Sequence, residues 1–171
     1  MLRRVPTPFY AMKTLLFLIA LSLPLLAQPQ NLQNCEIKVV TTNKNVEIKL
    51  YQPNKVTILD FFITTCPHCQ QHSPHMGELA RKYPHGLSVI SFAADGKANP
   101  TKLSAYIQQY KVTNPVIPMT NEHLGTFLPS NRSVPQMLVY DRKGQLIKVL
   151  LGWDENTKKN IETLLQTLLR K

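Results

Sequence analysis

Apolar and polar positions along this chain repeat with two periods. Val56-Thr57-Ile58-Leu59-Asp60-Phe61-Phe62-Ile63 is apolar at almost every position, as expected of a strand covered on both faces. Leu87-Ser88-Val89-Ile90-Ser91-Phe92 reads the same way. Gln136 to Tyr140, the turn Asp141-Arg142-Lys143-Gly144 and Gln145 to Leu151 predict two antiparallel strands. Upstream, Ile37-Lys38-Val39-Val40 and Val46-Glu47-Ile48-Lys49-Leu50 alternate around Thr42-Asn43-Lys44-Asn45, a hairpin-like pattern. Helical spacing appears in three places. Pro67 to about Tyr83 opens on a proline, tolerated in a first turn, and closes on Arg81 and Lys82, which suit the negative end of the helix dipole. Pro100 to about Lys111 carries Leu103, Ile107 and Tyr110 on one face, and Ile161, Leu164, Leu165, Leu168 and Leu169 repeat after a capping Asp154. Asn114 to Arg132 reads as irregular, with a short helix near His123 to Phe127.

Strands alternating with helices, then a hairpin and a closing helix, predict one α/β domain with a central mixed sheet flanked by helices and an N-terminal strand extension. That domain is expected to span residues 28–171. Residues 1–27 read as a signal peptide: a basic start at Lys13, an apolar run from Leu15 to Leu26 and a closing Ala27. Met12 is an alternative start. Left uncleaved, the segment would act as a membrane tether. The formal charge of +10 falls to about +7 without Arg3, Arg4 and Lys13. The remaining basic residues are scattered, with no stripe of arginines between aromatics, which argues against nucleic-acid binding.

The chemistry concentrates at Cys66-Pro67-His68-Cys69, where the first long strand turns into a helix. A disulfide stabilises more the longer the loop it closes, and this loop is tiny. The pair is therefore expected to make and break a disulfide. Cys66, at the helix N-terminus, is the candidate nucleophile, because unpaired N–H groups there favour a thiolate. Cys69, one turn on, is the candidate resolving thiol. Pro67 and His68 are expected to tune the pair, His68 by favouring the thiolate. His72 and His75 invite a zinc reading with the two cysteines, but each step of three along a helix drifts by about 60°. They are read as exposed helix residues, and no metal site is expected. Cys35 reads as a lone thiol near the domain edge, and Trp153 as packing at the end of the sheet.

Further motifs surround the pair. Asp60 lies six residues before Cys66, Pro74 eight residues after it, and Ser133-Val134-Pro135-Gln136 precedes a strand and its hairpin. In these positions the chain resembles the thioredoxin superfamily, and more closely its exported TlpA/ResA-like thiol-disulfide oxidoreductases. The resemblance implies a thioredoxin-like fold, a Val134–Pro135 bond held cis against the disulfide, and a substrate strand bound by the Val134 backbone. It implies that Asp60 is buried and moves the proton of Cys69, that no cofactor is needed, and that a membrane redox partner recharges the pair. Protein thiols and disulfides are the implied substrates, the periplasm or another extracytoplasmic space the implied location, and a monomer the expected state. The chain departs from the family where Thr65 replaces a tryptophan. Pro67-His68 is the dipeptide of strongly oxidising DsbA-like enzymes, yet only about 65 residues separate Cys69 from Pro135, too few for the helical domain those enzymes insert. The scaffold thus implies a reductase, for example of apocytochrome c cysteines, whereas the dipeptide implies a DsbA-like disulfide donor. A copper-binding chaperone using Cys66, Cys69 and a distant His123 is the third reading.

Overall fold

A computed structural model describes residues 29–35, 39–40, 47–95, 99–128 and 130–170. The expected signal segment and the turn Thr42 to Asn45 lie outside the described residues. The elements, in order, are β1 (Val39–Val40), β2 (Glu47–Ile48), β3 (Val56–Phe62), α1 (Pro67–Lys82), β4 (Leu87–Ala93), α2 (Pro100–Gln109), β5 (Val116–Pro118), α3 (Asn121–Phe127), β6 (Gln136–Tyr140), β7 (Leu146–Leu151) and α4 (Glu155–Leu169). β1 and β2 form the expected antiparallel extension, with Val39 opposite Ile48. The main sheet has the order β5-β4-β3-β6-β7. β3 pairs in parallel with β4 and antiparallel with β6, which places it at the centre. Every residue of β3 and β4 is buried, whereas β7, an edge strand, buries only Leu150.

Side-chain alternation along β3 divides the core. Leu59 and Phe61 pack with Ile90, Phe92, Leu138 and Phe127, beneath the N-terminal Leu32 and Leu50. Val56 and Ile58 face the other way, against Met76 and Leu79 of α1 and Ile161 and Leu165 of α4. Phe62, of the same parity, meets Cys69 of α1 and Leu103 and Tyr106 of α2. Helices therefore cover both faces of a mixed sheet, as the sequence pattern predicts. Phe61 stacks on Phe92 at 5.2 Å and lies 5.9 Å from Phe127. Phe61→Ala should cost about 3–5 kcal/mol, because the neighbouring strands cannot collapse into the space left behind. A urea midpoint close to the wild-type value would contradict this packing account.

Two features differ from the expectation. The stretch read as irregular holds the expected short helix, as α3, but also β5, which has three residues and ends in Pro118, a residue that an edge strand tolerates. Before β1, Asn31 bridges to Gln145, and the N–H of Leu32 donates to the Gly144 carbonyl at 2.8 Å, so the N-terminal segment lines the β6–β7 hairpin. Gly144 there has φ +75°, and an added Cβ would meet the Tyr51 ring at 3.0 Å. No helix among the described residues is long and apolar enough to cross a membrane.

Candidate active site

The end of β3 presents the cysteine pair. Phe62 pairs with Ala93 in parallel register, and two residues further on Thr64 meets Asp95. The Thr64 N–H donates to Asp95 at 2.8 Å, and its hydroxyl donates to the same carboxylate at 2.6 Å. Gln70 of α1 donates to the Thr64 carbonyl at 3.1 Å. This clamp holds the turn from which Cys66 caps α1, with Pro67 in the first turn. Cys66 Sγ accepts the Cys69 N–H at 3.3 Å, so the sulfur sits on the unpaired N–H groups at the positive end of the helix. It is half-buried, while Cys69 is fully buried. Across from it, the Val134–Pro135 bond is cis, and the Val134 carbonyl lies 3.9 Å from Cys66 Sγ. The Gly152 N–H donates to the Pro135 carbonyl at 2.8 Å and fixes this loop to the end of β7.

Behind the pair, Phe62, Ser73, Leu103 and Tyr106 are all buried. Tyr106 of α2 donates to the Cys69 carbonyl at 3.0 Å and lies 2.8 Å from Ser73 Oγ, tying α1 to α2. Burial pushes the Cys69 thiol far above its ordinary range, and the adjacent Cys66 sulfur and the Asp60 carboxyl push in the same direction. Asp60, at the middle of β3, is fully buried on the face that α1 covers. The Ser91 hydroxyl donates to its Oδ2 at 2.6 Å, and the Asn114 amide donates to Ser91 Oγ at 2.7 Å. Burial raises the Asp60 carboxyl to about 7, with the Ser91 hydrogen bond opposing the rise. A buried acid near neutrality can take a proton from a neighbouring thiol and give it back.

His72 completes this layer and corrects the sequence reading. Its Nε2 lies 3.3 Å from Asp60 Oδ1, and both side chains are fully buried. Burial, with a smaller push from His75, lowers the imidazole to about 3, so His72 is neutral. The expectation that His72 and His75 are exposed fails for both. The His75 side chain is only 12 % exposed, lies 3.4 Å from Glu162 of α4, and shares the Trp153 ring with His72, at 5.2 and 4.8 Å. The reason is helical: Cys69, His72, Met76 and Leu79 lie on the face of α1 that meets the sheet.

The structure thus gathers Cys66, Cys69, Val134 and Pro135 at one point, with Asp60 beneath them. Pro67 and His68 are exposed at the rim, as is Thr65. His123 packs on Phe92 at 5.5 Å, in the core on the opposite face of the sheet from Cys69, and its Nδ1 accepts the Thr120 N–H at 3.2 Å. It is therefore not placed to join the cysteines around copper. Among the described residues, no three His, Cys, Asp or Glu side chains form a group able to hold a metal ion. Cys35 is half-buried against the Leu59–Phe61 core. Asp95, Gln70, Ser91, Asn114 and Tyr106 are site residues that sequence reasoning does not single out, and His72 is one that it places on the exposed side of the helix. Helical periodicity through Cys69 is a signal that could find His72, whereas the others depend on strand register or on contacts between distant segments.

Comparison with known proteins agrees with this geometry. The family model described as Thioredoxin matches residues 37–121. A thiol-disulfide oxidoreductase ResA of Bacillus cereus is 30 % identical over 127 residues, covering 73 % of this chain and 69 % of the relative. The thiol-disulfide oxidoreductase YkuV of Bacillus subtilis is 26 % identical over 95 residues, 54 % of this chain and 64 % of the relative. A crystal structure of a protein assigned as thiol:disulfide interchange protein DsbE from Chlorobium tepidum shares the fold, with a TM-score of 0.68 at 21 % identity over 78 % of this chain and 92 % of that one.

Proposed function

Because the chain belongs to the thioredoxin family, as a ResA-like protein-disulfide oxidoreductase, we propose that it reduces disulfides of exported proteins through Cys66 and Cys69. The observation that carries this reading is the asymmetry of the pair: Cys66 Sγ rests on the N-terminus of α1, 3.9 Å from the Val134 carbonyl, while Cys69 is fully buried. The Cys66 thiolate attacks a substrate disulfide, forming a mixed disulfide and releasing one substrate thiolate. Cys69 then passes its proton to the Asp60 carboxylate and attacks the Cys66 sulfur. The Cys66–Cys69 disulfide closes, the second substrate thiolate leaves, and two electrons have moved to the substrate. Val134 and Pro135 hold the substrate strand by backbone contacts.

Further parts of the proposal follow from the family and from residues 1–27. Export by that segment places the domain in the periplasm or another extracytoplasmic space, and an uncleaved segment tethers it to the membrane. A membrane redox partner re-reduces the pair after each turnover. Apocytochrome c cysteines are the proposed substrate, and the enzyme acts as a monomer without a cofactor. A second reading, a DsbA-like disulfide donor, is favoured by Pro67 and His68, which stand exposed beside Cys66.

The reduction potential of the pair, equilibrated against glutathione, separates the two. A value near thioredoxin's, about −270 mV, would exclude the donor; one near about −120 mV, as in DsbA, would exclude the dedicated reductant. His68→Pro should lower the potential by about 30 mV or more, equivalent to about 1.4 kcal/mol. An unchanged potential would remove His68 from the tuning.

A further inference from the structure

The groups around Asp60 are polarised in one direction. Asn114 Nδ2 lies 3.4 Å from the Pro115 carbonyl, which can only accept, and this orients the amide. The amide donates to Ser91 Oγ at 2.7 Å, so the single hydroxyl hydrogen of Ser91 is free to point at Asp60 Oδ2, 2.6 Å away. The relay therefore ends in a Ser91 hydroxyl aimed at the carboxylate. Among the described residues Oδ1 has no hydrogen-bond partner, and neither has Nε2 or Nδ1 of His72; Nε2 faces Oδ1 at 3.3 Å without the alignment of a formed hydrogen bond. Both are fully buried, so leaving either unpaired would cost about 1–3 kcal/mol.

We propose that His72 is the positioning residue of this site: its neutral imidazole donates Nε2–H to Asp60 Oδ1 and so keeps Asp60 in the ionised form that accepts the Cys69 proton. The inference rests on Asp60 being the base for Cys69, and it adds the group that makes a buried carboxylate available for that task. The step balances with His72 unchanged: the Cys69 thiol and the Asp60 carboxylate become the Cys69 thiolate and the Asp60 carboxylic acid, and the proton later leaves for solvent. A hydrogen bond to a carboxylate is roughly twice as strong as one to a neutral acceptor, so this contact favours the ionised acid. His72 does not itself titrate in the step, since burial keeps it neutral and His75 opposes a second charge. The other groups facing the pair are Ser91 from β4, Cys69 from α1 and the Trp153 ring. Around His75 lie Glu78 of α1 and Glu162 and Lys158 of α4.

The test is the pH dependence of the rate at which Cys69 resolves a Cys66–glutathione mixed disulfide. His72→Leu should move the midpoint up by about one pH unit and slow resolution at pH 7 about fivefold. His72→Gln, which keeps an N–H near the Nε2 position, should restore most of the wild-type profile. A merely space-filling histidine would leave the midpoint in place, and that result would overturn the inference. Asp60→Asn separates the two levels of the argument. If it abolishes the pH midpoint while His72→Leu leaves it unmoved, the role of His72 fails and the base stands. If Asp60→Asn resolves with the wild-type profile, the base reading fails and this inference falls with it. Ring ¹⁵N shifts of His72 in the unmodified reduced protein give an answer that needs no variant to fold. The Nε2–H tautomer at pH 8 is expected, and an Nδ1–H tautomer would contradict the proposal.

Discussion

Asp60→Asn is expected to stabilise the protein by about 4 kcal/mol at pH 8 while making it a poorer catalyst. The native carboxyl titrates at about 7, against an ordinary value of 3.8, a difference of about 3 pH units at about 1.4 kcal/mol each. Between those values the native chain holds a proton that the unfolded chain has released. Stability from this group is therefore full below about 4 and is lost as the pH rises to about 7. Asparagine cannot ionise and escapes the loss, so its advantage should shrink towards nothing near pH 4. His72 has the opposite sign: a depressed native value means stability present above about 6.5 and lost as the pH falls towards about 3. In the wild type the two windows overlap between about 4 and 6.5, where native and unfolded chains each hold one proton on this pair. The pair should give a flat profile there. In Asp60→Asn the His72 slope is uncovered, and stability should fall with pH below about 6.5. Urea unfolding at pH 5 and pH 8 measures both effects. Equal stability of the two proteins at pH 8 would mean that Asp60 carries no buried charge.

The two cysteines should fail differently when replaced by serine. Cys66→Ser should abolish exchange outright, because the hydroxyl left at the helix N-terminus is not a useful nucleophile at neutral pH. Its structural cost should be small, since the position is half-buried and still offers an oxygen to the Cys69 N–H. Cys69→Ser should abolish turnover but keep the first step, so a mixed disulfide on Cys66 accumulates. It should also destabilise by about 1–3 kcal/mol, because a hydroxyl then replaces a thiol among Phe62, Leu103 and Tyr106. Non-reducing mass measurement of each variant after exposure to oxidised glutathione distinguishes them. Adduct formation on Cys66→Ser at the wild-type rate would reverse the assigned roles.

Much of the fold is legible in the sequence for one physical reason: the central strands are buried on both faces, so β3 and β4 are apolar almost throughout. α4 is legible because one side of it meets the sheet. The pair and the cis Val134–Pro135 loop carry motifs strong enough to place them together. β5 escapes because three residues ending in Pro118 carry no period. The N-terminal bridge from Asn31 to Gln145 escapes because nothing local records a partner more than a hundred residues away. His72 is the instructive miss, since the spacing Cys69, His72, Met76, Leu79 is visible in the sequence. A polar side chain on an apolar face reads as exposed until the buried acid opposite it supplies the reason for burial. Asp95 follows from the parallel register of β3 and β4, and Ser91 and Asn114 from packing around Asp60; neither the register nor the packing is written in the local sequence.

The claim that most depends on this site is that Cys66 and Cys69 form one reversible dithiol–disulfide couple. Equilibrating the protein in glutathione buffers of graded potential, quenching with an alkylating agent and mapping the disulfide by peptide mass tests it directly. The account predicts a single two-electron transition, tenfold in the ratio of oxidised to reduced protein for about 30 mV. The oxidised form should hold a Cys66–Cys69 bond with Cys35 still alkylated. A transition that recruits Cys35, or a pair that stays reduced across the whole range, would contradict it.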